Sequence, residues 1–447
     1  MYLEPTELAE VEGRYKVLKE PAISRPGGSR DPAIAERVSA MLLDIEARGL
    51  DAVRDYARDL DGWTESDFEI PAETLKSSGD QLPADVRASL ELGVEHTRAF
   101  ADAQRAHLED FEIELIPGVI CGQRYVPVQR VGAYLPAGRI PILTSAAMTI
   151  GVAKAAGVPT VIACTPPGRG ELPNPAILYT TFLTHADRVF ALGGVQAVAA
   201  MALGLLDNEA PVDMLVGAGN AWVTEAKRQL FGKVGIDLLA GPSEVAVIAD
   251  ETADPEIVAA DLLGQAEHGP SSPSALITTS SALAEEVIEL IPGQLERLAT
   301  ADIAGPAWRD HGLVVVADDD QVALRLADHL APEHLEVQTA DPEYYRTRLL
   351  HYGSLFLGPW STVAYSDKGI SGTNHVLPTG KTARYGAGLS VSRYLRPLTY
   401  QRAEPSATEA LGEPVSVISE YEGFVAHQAT ATLRLARVRG ENEAGHD

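Results

Sequence analysis

From Arg30 to about His107, apolar residues recur at three- and four-residue spacing in "IAERVSAMLLDIEARGLDAVRDYARDL" and "ADVRASLELGVEHTRAFADAQRAHL". That period predicts long amphipathic helices along a core edge. Between about Val131 and Ala240 the texture changes. Short β-branched runs ("TVIACTPP", "RVFALGG", "VDMLVGAGN") alternate with Ala-rich helical ones ("TSAAMTIGVAKAAG", "PAILYTTFLTHA", "VQAVAAMALGL", "AWVTEAKRQLFG"). A second set follows, with strands "EVAVIAD", "SALITTS", "GLVVVAD", "HLEVQT" and "GSLFLG" and helices "PEIVAADLLGQAEH", "ALAEEVIELI" and "DQVALRLADHL". Alternation of this kind predicts parallel sheets covered by helices on both faces. The expected fold is therefore α/β, with two Rossmann-like, doubly wound units.

Past about Ser390 the pattern loosens, and "SVISEYEGFVAHQATATLRLARVR" predicts one helix outside both sheets. An appended helix of this kind often packs across another domain or a partner subunit, and is expected to do so here. The expected organisation is an N-terminal helical region joining the second unit (1–132), a first α/β unit (133–242), a second (243–390) and a C-terminal tail (391–447).

Composition narrows the classes of function. A chain of 447 residues, 45% hydrophobic, is too long for one core. Its formal charge of -27 repels nucleic acid and anionic membrane. No apolar run reaches the roughly 20 residues of a bilayer span, and "MYLEPTELAEVEG" lacks the regions of a signal peptide, so a cytoplasmic protein is expected. Eight Lys among 36 basic residues, with this acid excess, is the balance of a salt-rich cytosol or of an Arg-rich genome. Cys121 and Cys164 are too few for a four-thiolate zinc site, and their apolar neighbours suggest buried reduced thiols.

Polar groups inside this apolar frame are the candidates for chemistry. Gly-rich turns occur at "LPAGR" (135–139), "LGGVQ" (192–196) and "GAGN" (217–220), where a doubly wound sheet binds ligands and helix N-termini attract phosphate. None is a G-x-G-x-x-G fingerprint, and such turns are purely structural more often than not. In "GQAEHGP" (264–270), Gln265 and His268 lie three apart, about 60° around a helix, so they share a face. In "APEHLEV" (331–337), Glu333 and His334 follow a proline, which predicts a loop at the mouth of a strand. An adjacent carboxylate and imidazole suit water activation and proton transfer near neutral pH, although a solvated turn would look similar. "AYSDKGISGTNHVLPTG" (364–380) gathers Asp367, Lys368 and His375 in one loop, and Glu422 precedes His427 in the last helix.

Taken together, "GAGNAWVTEAKRQLFG", "IDLLAGPSEVAVIAD", "DLLGQAEHGP", "APEHLEV", "GSLFLG", "SGTNHVLPTG" and "EGFVAH" resemble the histidinol dehydrogenase family along nearly all of the chain. The resemblance implies a homodimeric zinc enzyme that oxidises a primary alcohol to a carboxylate in two hydride transfers to NAD. By motif, the zinc ligands are expected to be Gln265, His268, Asp367 and, from the partner subunit, His427. Glu333 would activate water and His334 would accept protons. Ser243, His375 and Glu422 would line the substrate site. NAD would lie against Tyr134, Gln196 and Asn220 on the first unit, with zinc and catalysis on the second.

The chain departs from the histidinol-oxidising pattern at "LPAGRIPILTSAAMT" and in placing Lys368 after Asp367. "GQRYVPVQRVGAYLPAGR", "YGSLFLG", "SDK" and "ARYGAGLSV" look more like the branch that oxidises 2,3-dihydroxypropane-1-sulfonate to sulfolactate, with histidinol as the alternative substrate. A sulfonate needs fixed cationic partners, for which Arg139 and Lys368 are the candidates. His375 stands eight positions after Asp367, one more than in the family pattern, which weakens its carry-over. Two other classes use similar groups. A zinc hydrolase would not need two Rossmann-like units, and in a non-catalytic zinc-binding scaffold Glu333 and His334 would be dispensable.

Overall fold

The apolar runs form strands buried on both faces: every residue of Val245–Ala249 and of Ser274–Thr278 is buried, as crossover helices on each side of a parallel sheet require. The structure, a computed structural model, describes residues 3–4, 8–23, 31–137, 141–168, 171–206 and 210–440. The chain divides into two compact units, Met1–Arg105 with Val128–Tyr394, and Ala106–Pro127 with Leu395–Asp447.

The first unit holds both expected α/β sheets. In the five-stranded sheet the spatial order is Arg188–Ala191, Thr160–Thr165, Arg130–Tyr134, Met214–Val216 and Gly235–Ile236, all parallel. In the six-stranded sheet the order is Tyr15–Lys19, Gly312–Ala317, Ser274–Thr278, Val245–Ala249, His334–Gln338 and Ser354–Leu357. Only Tyr15–Lys19 runs antiparallel there, as an added edge strand. Leaving that edge aside, both sheets begin at a central strand, wind outward to one side, then restart on the other, which is the doubly wound order. Apolar clusters fill both faces of the larger sheet. The predicted N-terminal helices are present at Pro32–Arg48, Leu50–Tyr56, Ala72–Ser77 and Ala84–Ala106.

The second unit has a three-stranded antiparallel sheet, ordered Leu395–Ala403, Val119–Pro127, Phe111–Ile116, and two helices, Thr408–Glu422 and Val425–Val438. Two sequence expectations are corrected here. The segment expected to lose order after Ser390 contains the nine-residue strand Leu395–Ala403. The expected single terminal helix is broken at Gly423, whose φ of 78° ends the first helix in a left-handed cap. Of the two free cysteines, Cys164 is buried as expected and Cys121 only half-buried.

Candidate active site

The helix Pro255–Ala266 starts at Asp254, whose side chain caps the Glu256 N–H, with Pro255 in its first turn. It returns across the sheet, so its last turn delivers Gln265 to the amino edge of the larger sheet. The turn runs on through Glu267, and the His268 N–H donates to the Gln265 carbonyl at 3.2 Å. Glu267 points away and accepts from Thr300 Oγ1 at 2.7 Å. At the same edge, Ser243 and Glu244 precede the strand starting at Val245, and Glu333 sits in the bend before His334, which pairs with Val245 in register. The short helix Val363–Asp367 ends on Asp367.

These groups converge. Asp367 lies between two imidazoles, Oδ2 3.4 Å from His268 Nε2 and Oδ1 4.0 Å from His334 Nε2. Its carbonyl is 2.7 Å from Thr144 Oγ1, which donates to it from the smaller sheet's side, and 3.2 Å from His375 Nδ1. Glu333 Oε2 accepts from Ser243 Oγ at 2.6 Å and from the Glu244 N–H at 2.9 Å. Gln265 Nε2 donates to Ser243 Oγ at 2.6 Å. The bend before the strand lets Glu333 and His334 share one edge despite being adjacent, with Oε2 3.5 Å from His334 Nδ1.

Burial sets the proton affinities. It pushes the Glu333 carboxyl well above the ordinary carboxylate range, against the Ser243 and Glu244 hydrogen bonds that favour its charge. It lowers His334 to about 4, against the pull of Asp367, and lowers His375 too. For Asp367, burial acts upward, but the hydrogen bond to His268 and the surrounding imidazoles outweigh it and hold the carboxyl well below its usual range.

At the carboxyl edge of the smaller sheet, Tyr134 Oη accepts the Gly194 N–H at 3.1 Å. Gln196 Nε2 and the Gly193 N–H both donate to Asp61 Oδ2 at 3.0 Å. Asn220 Oδ1 caps the helix Ala221–Leu230 through the Trp222 and Val223 N–H groups. The Gly217 N–H donates to Asp237 Oδ2 at 2.7 Å. Two of the Gly-rich turns thus already hold carboxylates of the chain itself.

Of the remaining candidates, Lys368 is exposed, and its charge helps lower His375. Glu422 and His427 are exposed on the second unit, His427 with its ring centroid 5.3 Å from that of Phe424. Arg139 lies outside the described residues. Sequence reasoning missed Glu244, Asp61 and Thr144. Glu244 acts on the site through its own backbone N–H and carbonyl, which residue type does not announce, and Thr144 through a hydroxyl that donates to the Asp367 carbonyl.

A family model described as histidinol dehydrogenase matches residues 25–435. The chain belongs to the histidinol dehydrogenase family. It is 49% identical over 404 residues to a protein of Shouchella clausii named histidinol dehydrogenase homolog, covering 90% of this chain and 95% of that one. It is 42% identical over 422 residues to a sulfopropanediol 3-dehydrogenase of Ruegeria pomeroyi, covering 94% and 96%. A crystal structure of histidinol dehydrogenase from Elizabethkingia anophelis matches the fold with a TM-score of 0.88 at 31% identity, covering 94% and 95% of the chains. As a histidinol dehydrogenase family member the chain is a dehydrogenase acting on a CH–OH group. Among the described residues, no helix is long and apolar enough to cross a membrane.

The zinc ion expected of the histidinol dehydrogenase family can be tested against the donor set. An amide oxygen, an imidazole and a carboxylate at one edge are ligands zinc accepts. Gln265 Oε1 is buried with no hydrogen-bond partner among the described residues, as a ligand atom awaiting a cation would be. Among the described residues no three His, Cys, Asp or Glu side chains gather for a metal. Gln196 Oε1 is likewise buried and has no partner among the described residues.

Proposed function

We propose that the protein is a cytoplasmic, NAD-dependent zinc dehydrogenase that oxidises a primary alcohol to a carboxylate through the aldehyde, with 2,3-dihydroxypropane-1-sulfonate as substrate and sulfolactate as product. The observation that carries the reaction is the meeting of the buried Gln265 and Asp367 and the exposed His268 with the buried Glu333–His334 pair at one edge of the sheet. Gln265, His268 and Asp367 would hold the zinc ion together with His427 of the partner subunit. When bound, zinc supplies a Lewis acid that favours an oxygen anion on the substrate.

The proton chemistry follows from this chain's own groups. The Glu244 carbonyl can only accept, so His334 Nδ1 carries the proton and Nε2, buried and unpartnered, presents its lone pair. His334 Nε2 therefore takes the hydroxyl proton as the alcohol carbon gives a hydride to nicotinamide, leaving the aldehyde. Glu333, whose Oε2 is already held, takes a proton from water at Oε1 as the water oxygen bonds to the aldehyde carbon, and His334 Nε2 returns its proton to the aldehyde oxygen, which gives the diol and frees the imidazole. A second NAD replaces the NADH, and the hydrated aldehyde loses its second hydride to it and its hydroxyl proton to His334, giving the carboxylic acid.

The homodimer, the division into an NAD-side unit (133–242) and a zinc-side unit (243–390), and the nucleotide contacts of Tyr134, Gln196 and Asn220 belong to the same proposal. Ser243, His375 and Glu422 would line the substrate. Lys368 and Arg139 would meet the sulfonate. The sulfonate reading is supported by the exposed Lys368 beside Asp367 and by the 42% identity to a sulfopropanediol 3-dehydrogenase. The family's own name favours histidinol instead. Following NADH from the zinc-loaded protein with each alcohol side by side decides: turnover on the sulfonate and little on histidinol is expected, and the reverse order overturns the substrate assignment.

A further inference from the structure

We infer that Ser243 is a positioning residue that decides which end of the Gln265 amide faces the metal. The inference rests on the zinc reading above. A glutamine amide is nearly symmetric in shape, and only one of its two ends is a useful ligand: Oε1 offers lone pairs, whereas Nε2 offers protons that a cation repels. Something must therefore distinguish them.

The distinction is made two hydrogen bonds away. Glu333 Oε2 already accepts the Glu244 N–H at 2.9 Å, so at 2.6 Å it accepts the Ser243 hydroxyl proton as well. A proton on Glu333 would sit on Oε1 and leave this unchanged. Having spent its one proton, Ser243 Oγ turns only lone pairs toward Gln265, at 2.6 Å. Gln265 must answer with an N–H, and its other end, Oε1, is left buried and without a protein partner. The direction of two hydrogen bonds thus fixes the ligand atom: Glu333 orients Ser243, and Ser243 orients Gln265. Ser243 does more than line the substrate pocket, because it couples the water-activating carboxylate to the metal-binding amide.

The test uses the full-length protein and a chelator competition for Zn2+, comparing wild type with Ser243→Thr and Ser243→Val, which have similar side-chain volume and differ in the hydroxyl. Ser243→Thr is expected to hold zinc within a few-fold of wild type. Ser243→Val is expected to lose about 10–100-fold in affinity, the usual cost of removing a group that orients a metal ligand. The visible spectrum of the Co2+-loaded Val variant should shift while that of the Thr variant does not, and the metal-free melting temperatures of the two variants should agree. Equal zinc affinity and equal cobalt spectra in the two variants, with a wild type that binds zinc, overturn the role of Ser243 alone. A wild type that binds no zinc overturns the metal reading and this inference with it.

Discussion

His334 Nδ1 lies 3.0 Å from the carbonyl oxygen of Glu244, and that contact fixes the tautomer of the imidazole. In the proposed course both oxidations pass a hydroxyl proton to the same Nε2, so His334→Ala should slow both. The expected fall in kcat is about 10²–10⁴-fold, the usual contribution of a placed base. Supplying the alcohol and the aldehyde separately and following NADH checks this. Aldehyde oxidation at the wild-type rate would assign His334 to the first step only.

Beneath the Gly217 turn, Lys227 and Asp237 form an ion pair with both side chains almost fully buried, and Lys227 Nζ also donates to the Gly217 carbonyl at 2.8 Å. Removing one partner strands a charge in the core. Asp237→Ala should cost about 3–5 kcal/mol of stability, and adding Lys227→Met should recover most of that loss. Urea unfolding of the two variants measures both terms.

Gly217 itself has a φ of 107°, and a Cβ placed there would meet the Tyr134 carbonyl oxygen at 2.1 Å. Gly217→Ala must therefore shift the turn, at about 1–3 kcal/mol for the unfavourable conformation alone. It should weaken NADH binding, read by fluorescence titration, while leaving zinc retention unchanged, since the turn lies at the carboxyl edge of the other sheet.

Glu336 is buried two residues into the strand from His334, with Oε1 accepting the Val363 N–H at 3.0 Å and Oε2 3.2 Å from Gln338 Nε2. Burial first, and then the Asp261 side chain, push its carboxyl well above the usual range. The folded chain keeps a proton that the unfolded chain releases near pH ~4.3. Stability that is complete below that pH is therefore lost as pH rises toward the folded value, by up to about 1.4 kcal/mol per pH unit. The melting temperature of Glu336→Gln should gain on wild type progressively as pH climbs from about 4.3. A difference independent of pH would show that the charge on Glu336 carries no penalty.

Much of the site was legible because its residues break rules of composition. Gln265 stands in the last turn of an apolar helix with His268 just past its end, and Glu333 and His334 follow a proline at the head of a strand, so each reads as a polar group with a purpose. Their location was not legible. The doubly wound order points to the carboxyl ends of the strands at the switch between Val245–Ala249 and His334–Gln338, yet the side chains gather at the amino ends of that same pair. At the carboxyl end, Asp250 closes the chain on itself by accepting the Thr252 and Ala340 N–H groups. Asp61 was hidden because one acidic residue among 63 carries no signal until Gln196 and Gly193 are seen to meet it. The strand Leu395–Ala403 is exposed at all but its first residue and contains Pro397, so it has no apolar face to betray it. Gly423 separates two amphipathic runs of similar period, and one glycine is weak evidence for a break until its backbone is seen.

The central claim is that one edge of one sheet performs two successive oxidations, the second of which needs Glu333 to activate water. Counting NADH per alcohol consumed, for wild type and Glu333→Gln, tests it most directly. Two NADH per alcohol for wild type, and a burst of one with trapped aldehyde for Glu333→Gln, is the result this arrangement predicts. One NADH per alcohol from wild type, or two at undiminished rate from Glu333→Gln, would contradict it.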